Sequence, residues 1–345
     1  MEEEFYSLVT RLNEEGESEE EEENDSDEEL DVPMFACSEP PRPHPVAPPV
    51  KPQPKTATPL KPQPTTNQNP ETPKGVIDKA LFIGINYKGT GSELKGCVND
   101  CRTSYNLLTK GLKLTIQEKK IYVDDPKYPG YNGMPTRANI MTGFRWLVEG
   151  AKAGTTLFVH YSGHGGQAKA SPKSKEKDGQ NETLCPLDYE DAGEIEDDEL
   201  FRVVVEPLPK GARLTAVFDC CHSGTILDLP YMFEASQANL AAATRSRGTL
   251  AQDRDASVSE VNGSVVMFSG CKDDQTSADV QGSDPGGALT NALTKAITTG
   301  GKKATVVQLL ENMRSILVEE GHSQIPQLCS SIPIASASKF SFAAS

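Results

Sequence analysis

The chain has no run of about 18 apolar residues, which is the length that a bilayer-spanning helix requires. Its acidic beginning also lacks the basic and apolar regions of a secretory signal. We therefore expect an intracellular protein without a membrane partner, in the cytoplasm or also in the nucleus. In that setting the eight cysteines are expected to be reduced thiols rather than a disulfide framework.

The chain also lacks an excess of basic residues. Residues 1–31 hold 16 of the 50 acidic residues and one basic residue, Arg11, which leaves 34 acidic against 33 basic residues in the remainder. Proteins that bind nucleic acid need a basic surface to neutralise phosphates. The composition therefore disfavours a DNA or RNA partner.

Residues 1–75 lack the apolar periodicity of a folded domain. The acidic run EEGESEEEEENDSDEELD is followed by a proline-rich stretch that begins at Pro40. Neither composition can bury enough apolar surface to offset the entropy of ordering. We predict a disordered acidic and proline-rich tail over 1–75, with Glu2–Leu12 as a candidate short amphipathic helix.

From residue 76 onward, short apolar runs alternate with segments of helical spacing. This alternation predicts one α/β domain over 76–345, a doubly wound and mostly parallel sheet with helices on both faces. Residues 229–263 show no convincing strand and are predicted to form a long surface loop. The predicted strands are KALFIGIN, KIYVDD, TTLFVHYSG, RLTAVFDC, SVVMFSG and IPQLCSS. The predicted helices are ELKGCVNDCRTSYNLLTKGL, PTRANIMTGFRWLVEGAKAG with Thr136 as N-cap, DDELFRVVV, GALTNALTKAITTG and TVVQLLENMRSILVEEG.

Two glycine-flanked turns follow predicted strands: SGHGG at 162–166 and FDCCHSG at 218–224. The 57 residues from His164 to Cys221 (221 minus 164) leave room for one crossover, so the two strands can be neighbours. A cysteine and a histidine at one edge of a sheet are the minimum parts of a thiol nucleophile and its base. Cys220 is the rival nucleophile, although adjacent strand-end residues face opposite ways and only one should reach the cleft.

Other histidines and cysteines have plainer interpretations. His222 is typical of a structural turn residue, and His160 of a strand histidine satisfied in the core. A zinc site is disfavoured because the chain has no pair of C-x-x-C knuckles, and the adjacent cysteines cannot easily give two tetrahedral ligands from one turn.

Several motifs together identify a family resemblance. HYSGHGG, DCCHSG, LFIGINY, LKGCVNDC, DYEDAGEIEDDEL and SGCKDDQTSADV occur in the order found in type I metacaspases, which are cysteine peptidases of caspase-like fold. The longer insert of type II is absent. The resemblance implies a prodomain at 1–75, a large-subunit region at about 76–235, a loop at about 236–263 and a small-subunit region at about 264–345.

The resemblance assigns the catalytic roles. It implies that Cys221 is the nucleophile, because the family nucleophile directly precedes HSG, and that His164 is the general base and acid. The backbone N–H groups of Gly165 and Cys221 are the implied oxyanion donors.

The resemblance also implies an acidic substrate pocket, formed by Asp100 and Asp219 and lined by Cys97 and Ser162. Two carboxylates favour a substrate Arg or Lys and disfavour Asp, because an unpaired buried charge is costly. The residues alone leave another role open for Asp219, as a strand-end carboxylate that caps local N–H groups.

Calcium is the implied cofactor. Asp197, Asp198 and Asp228 are the implied acidic ligands, and Asn181 stands where the family has a fourth carboxylate. Asn181 offers an uncharged oxygen, so calcium affinity is expected to be lower unless Asp178 substitutes. Acidic residues at a helix start are also simply favourable for the helix dipole. Calcium is expected to order the loop between His164 and Asp197 and the loop after Cys221, and so to complete the cleft.

The expected function is calcium-dependent hydrolysis of proteins or peptides after Arg or Lys by a monomer. An alternative is a non-proteolytic adaptor or protein-quality-control factor that acts through the prodomain. Programmed death, stress response and quality control are all compatible with the same chemistry. Candidate self-cleavage sites are Lys51, Lys55, Lys61, Lys74, Arg245, Arg247, Arg254 and Lys272.

Overall fold

The computed structural model describes residues 75–169, 180–246, 250, 252–253, 261–270, 279–280, 286–300 and 304–343, with the backbone alone at 245–246, 252–253 and 279–280. The predictions for residues 1–74, Asp178, Arg247, Arg254 and Lys272 lie outside these residues.

The secondary structure consists of thirteen strands and seven helices within the described residues. In chain order the strands are β1 (Val76–Gly84), β2 (Thr115–Val123), β3 (Thr156–Ser162), β4 (Gly165–Lys169), β5 (Gln180–Leu184), β6 (Ile195–Glu196), β7 (Arg213–Asp219), β8 (Tyr231–Glu234), β9 (Gln252–Asp253), β10 (Ser264–Ser269), β11 (Asp279–Val280), β12 (Gly286–Gly287) and β13 (Gln327–Ser330). The helices are α1 (Cys97–Asn106), α2 (Arg137–Val148), α3 (Tyr189–Ala192), α4 (Asp197–Leu200), α5 (Gln237–Ser246), α6 (Ala288–Gly300) and α7 (Val306–Glu319), and π-helical turns at Leu107–Gly111 and Phe201–Val205 extend α1 and α4.

Eight strands form the central sheet, in the order β2-β1-β3-β7-β10-β13-β8-β9. The first five are parallel to their neighbours, and β13, β8 and β9 continue the sheet in antiparallel fashion. From β1, the second strand from one edge, the chain passes outward to β2 and then back past β1 to β3, β7 and β10. This confirms the predicted mostly parallel, doubly wound α/β fold.

The two faces of the sheet carry separate cores. Leu81 and Ile83 of β1 belong to the core that includes α2, whereas Phe82 between them belongs to the core of α1, α6 and α7. Successive strand side chains point to opposite faces, so a fully apolar run such as LFI requires helices on both sides. Thr136 accepts a hydrogen bond from the Asn139 N–H, which confirms it as the N-cap of α2.

The register of the parallel strands brings their carboxyl ends level. Ser162 pairs with Gly84 on one side and with Asp219 on the other. The turns that follow β1, β3 and β7 therefore meet at one edge of the sheet. In doubly wound folds this edge is where ligands bind. The pairing of β3 with β7 confirms that the strands before His164 and Cys221 are neighbours.

One local prediction is wrong, and one pair of strands was not predicted. Residues 229–263 contain strand β8, paired with β13, and helix α5, whose Leu240 and Ala243 are buried. The four-residue strand is too short to give a periodic signal, and an alanine-rich segment has the propensity for a helix. The sequence also gave no warning that Gly165 begins β4, which pairs with β5 in a small separate sheet.

Candidate active site

The predicted general base, His164, lies in the turn between β3 and β4 and is half-buried. Its Nε2 lies 2.7 Å from the backbone carbonyl oxygen of Ser92. A carbonyl can only accept, so Nε2 carries the proton and Nδ1 keeps the lone pair. This tautomer leaves Nδ1 as the atom that can accept a proton from a thiol.

The two adjacent cysteines after β7 differ in accessibility. Cys220 is fully buried, whereas Cys221 is half-buried at the start of the turn. His222 follows in a left-handed conformation, with φ of 52°. Cys221 is therefore the accessible thiol of the pair, and its role as nucleophile stays a prediction. Among the six described cysteines there is no disulfide.

The histidine turn and the cysteine turn touch. A Cβ added to Gly165 would lie 2.1 Å from the carbonyl oxygen of Cys221, so only glycine permits this approach. Cys185 lies beside both turns: its N–H donates to the His164 carbonyl at 3.2 Å. Burial, then Glu194 and Cys221, raise the pKa of the Cys185 thiol to about 12. The structure thus brings His164, Gly165 and Cys221 together.

The two predicted pocket carboxylates are anchored at the start of α6. Asp100 is fully buried and accepts from the Ser162 hydroxyl at 2.6 Å and from the Gly287 N–H at 2.9 Å. Asp219 accepts from the N–H and hydroxyl of Thr290, both at 2.8 Å to Oδ2. A Cβ on Gly287 would lie 2.1 Å from that same Oδ2.

Asp100, Ser162 and Asp219 are therefore close together, with Gly287 between the two carboxylates. The predicted pocket residue Cys97 is buried at the start of α1, three residues before Asp100. Asp219 binds the N–H of Thr290, 71 residues away in the chain, rather than the local N–H groups of its alternative interpretation. This anchoring is compatible with a pocket role, because the bound carboxylate still presents negative charge nearby.

His160 is a core histidine as predicted, but only one of its nitrogens has a partner. Its Nε2 lies 3.1 Å from the Thr290 hydroxyl, and its buried Nδ1 has no hydrogen-bond partner among the described residues. Burial lowers the pKa of His160 to about 3. Since the Thr290 hydroxyl donates to Asp219, it must accept from the His160 Nε2–H, and His160 thereby supports the pocket.

Three of the four predicted metal ligands form a cluster. Oxygen atoms of Asp197, Asp198 and Asp228 all lie within 4.8 Å of one another. Burial, and next the charge of Asp228, raise the pKa of Asp197 to about 8. Closely spaced oxygen ligands of like charge suit a hard cation such as calcium, so these residues fit the implied ion.

The fourth predicted ligand, Asn181, is buried in β5. Its amide donates to Glu196 at 3.1 Å, and its role toward the cluster stays a prediction. Asp197 also accepts from the N–H groups of Glu182 in β5 and of Asp198 in α4, at 2.9 and 2.7 Å, so its carboxylate also joins these two elements. Within the described part of the chain, no other group of three or more His, Cys, Asp or Glu residues has a spacing that could hold a metal, and the zinc interpretation therefore gains no support.

Sequence reasoning missed three residues that shape the site: Ser92, Thr290 and Tyr87, whose ring lies beside that of His164. Ser92 acts through a backbone carbonyl, which no sequence pattern marks. Thr290 follows a glycine pair at a helix start, a weak signal for carboxylate anchoring. Tyr87 lies within the motif LFIGINY, where it had no assigned role.

Comparison with known proteins identifies the family. The family model for the metacaspase peptidase C14 domain matches residues 78–230. Metacaspase-5 of Trypanosoma brucei brucei is 42% identical over 266 residues, which cover 74% of this chain and 51% of that protein. Metacaspase-1 of Mycosarcoma maydis is 41% identical over 290 residues, which cover 74% and 71%. A crystal structure of a Geobacter sulfurreducens protein aligns with a TM-score of 0.49 and 20% identity, covering 77% of this chain and 99% of that one.

The family model and the sequence relatives agree on the metacaspases, a family of caspase-like cysteine peptidases. The chain belongs to the metacaspase family. The aligned part spans 51% and 58% of the metacaspase-5 proteins of Trypanosoma brucei brucei and Trypanosoma cruzi.

Proposed function

We propose that this chain is a calcium-dependent cysteine endopeptidase that cleaves peptide bonds after Arg or Lys. The observation that carries the proposal is the contact between the histidine and cysteine turns, through Gly165, beside two anchored carboxylates. Family membership supports the reaction class.

The tautomer of His164 supports a separate role for each of its two ring nitrogens. Nδ1 accepts the proton of the Cys221 thiol, and the thiolate attacks the substrate carbonyl while Ser92 holds the opposite nitrogen. The backbone N–H groups of Gly165 and Cys221 stabilise the oxyanion. The imidazolium then protonates the leaving amine, and water hydrolyses the thioester.

The two carboxylates of the pocket favour a substrate with a basic residue before the scissile bond. Asp100 and Asp219 offer carboxylates whose positions are fixed by Ser162, Gly287 and Thr290. A guanidinium or ammonium group would compensate their charge, whereas an aspartate would add to it.

Asp197, Asp198 and Asp228 would hold the calcium ion, with Asn181 as an added uncharged oxygen donor. A bound calcium ion would offset the negative charge of the three carboxylates.

The activity is tested with fluorogenic peptides that carry Arg, Lys or Asp before the reporter. We expect hydrolysis of the first two only, its loss in Cys221→Ala, and its retention in the matched variant Cys220→Ala. Full activity in Cys221→Ala would overturn the assignment. No hydrolysis of any peptide, at any calcium concentration, would favour the adaptor alternative.

The calcium dependence is tested by titration against a chelator. We expect Asn181→Asp to lower the calcium concentration for half-maximal activity by about tenfold, because it adds a charged ligand. Asn312→Asp in α7 adds the same charge elsewhere and should leave the titration unchanged. Equal activity with chelator and with calcium would reject the dependence.

Self-processing, a monomeric state and a cytoplasmic location belong to the same proposal. Most of the candidate cleavage sites lie outside the described residues. Among the described helices, none combines the length and the apolar character needed to cross a bilayer.

A further inference from the structure

Two buried tyrosine hydroxyls converge beneath the histidine turn. The Tyr87 hydroxyl accepts from the His164 N–H at 3.0 Å and donates to the Cys185 carbonyl at 2.5 Å. The Tyr161 hydroxyl donates to the His164 carbonyl at 2.8 Å and lies 3.2 Å from the Cys185 carbonyl. Both backbone polar groups of His164 are therefore held by tyrosine side chains.

Tyr87 also contacts the imidazole directly. Its ring centroid lies 4.7 Å from that of His164, with the planes inclined by 42°. This contact covers one face of the imidazole and restricts its rotation. The side chain is 1% exposed, so its place is fixed by the core rather than by solvent.

The backbone of Tyr87 is strained in a way that serves the same histidine. Its φ is 50°, a left-handed conformation that is rare for a bulky residue. The turn it opens, closed by the Thr90 N–H on the Tyr87 carbonyl at 3.1 Å, leads to Ser92, whose carbonyl meets His164 Nε2. Strain of this kind persists where surrounding contacts over-determine the conformation.

Gly163, the first glycine of the SGHGG motif, lies close to the hydroxyls of both Tyr87 and Tyr161. A Cβ on Gly163 would lie 3.0 Å from both tyrosine hydroxyl oxygens. The turn therefore packs closely against the two hydroxyls, and a side chain at this position would have to push them aside.

We propose that Tyr87 and Tyr161 are positioning residues that fix the place and orientation of the His164 imidazole, an inference that rests on the proposed peptidase function. Without the Tyr87 hydroxyl, the His164 N–H loses its acceptor in a buried site, and the Cys185 carbonyl keeps only the longer contact with the Tyr161 hydroxyl. The turn then shifts to recover partners, and Nδ1 leaves the geometry needed for proton transfer. Small displacements of a general base are costly to the rate.

The test uses the full chain with Tyr87→Phe, Tyr161→Phe and the control Tyr122→Phe. Tyr122 is a buried tyrosine of β2 whose hydroxyl bonds to no described residue. We expect kcat on an Arg peptide to fall by about 10- to 100-fold in Tyr87→Phe, and less in Tyr161→Phe, with KM changed less than about twofold. Tyr122→Phe should match the wild type.

A second readout does not depend on peptide turnover. The pH dependence of iodoacetamide alkylation at Cys221, taken as the difference from Cys221→Ala, reports the thiolate that His164 stabilises. We expect its midpoint to shift in Tyr87→Phe and Tyr161→Phe but not in Tyr122→Phe. If the wild type proves inactive on peptides, the proposed function fails while this comparison still decides the positioning role.

Wild-type kcat and an unchanged alkylation midpoint in both site variants would overturn the proposal. The proposal would also be overturned if kcat fell only in proportion to the folded fraction measured in thermal melts, because the tyrosines would then have only a structural role. If Tyr87→Phe does not fold, Tyr161→Phe decides by the same two measurements.

Discussion

Backbone strain at single residues marks the site. Four described residues other than glycine have positive φ, and three of them, Tyr87, His222 and Asp228, lie next to the predicted base, nucleophile and calcium cluster. Such conformations are retained where they aim a group that relaxed backbone could not aim. At this scale the site is built by backbone geometry as much as by reactive side chains.

Thr290 is expected to control substrate affinity. Thr290→Val removes the hydroxyl that donates to Asp219, and a hydrogen bond to a charged group contributes about 1.5 kcal/mol. We therefore expect KM for an Arg peptide to rise roughly tenfold with little change in kcat. Thr290→Ser keeps the hydroxyl and should restore KM. An unchanged KM in Thr290→Val would show that substrate binding does not depend on the hydrogen bond from Thr290 to Asp219.

His160 is expected to give the fold an acid sensitivity. Its folded pKa of about 3 lies below the ordinary value of 6.5, so the unfolded chain binds a proton that the folded chain excludes. The linked stability is present above pH 6.5 and is lost as the pH falls from about 6.5 to about 3, by up to about 1.4 kcal/mol per pH unit. Urea unfolding across this range should show a shallower pH slope in His160→Gln. His322→Gln removes a histidine outside the core and should keep the wild-type slope.

At the scale of elements, apolar runs made the central strands predictable, and their shared edge placed the two motifs together. β1, β3 and β7 each contain a run of consecutive buried residues, such as ALFI in β1 and AVF in β7, and such a run is typical of a strand that is covered on both faces. β4 and β6 are polar or very short, and their pairing follows from tertiary contacts that no local period encodes. The proximity of the His164 and Cys221 turns could be predicted because each motif is local and follows a recognisable strand. The contacts of Ser92 and Thr290 with the site depend on how distant segments fold, so no local pattern marks them.

The close contact between the two turns predicts a strict need for glycine at position 165. In Gly165→Ala the new Cβ would meet the Cys221 carbonyl oxygen, a backbone atom that cannot rotate away. We expect kcat to fall by about 100-fold, because the turns must separate. Gly111→Ala, where a Cβ meets only ordinary contacts at 3.5 Å or more, is the matched control. Activity of Gly165→Ala equal to that control would contradict the contact.

At the scale of the whole molecule, the sheet ends in a nine-residue strand on one side and a two-residue strand on the other. β2 carries Glu118, Lys119 and Lys120 along its length, and β9 is too short to template another chain. Short or charged edges discourage strand pairing between molecules. Light scattering of the full chain should therefore give the monomer mass at micromolar concentration, and a dimer would contradict the proposed state.

The position of β13 has a consequence for a nicked molecule. This strand lies between β10 and β8, so a cut after Lys272 would leave the smaller piece wedged between two strands of the larger one. The smaller piece would also carry Gly287 of β12 and Thr290 of α6, whose N–H groups bind Asp100 and Asp219 of the larger piece. The two fragments should therefore elute together in gel filtration until a denaturant separates them. Both fragments contribute residues to the cleft, so neither fragment alone contains a complete one.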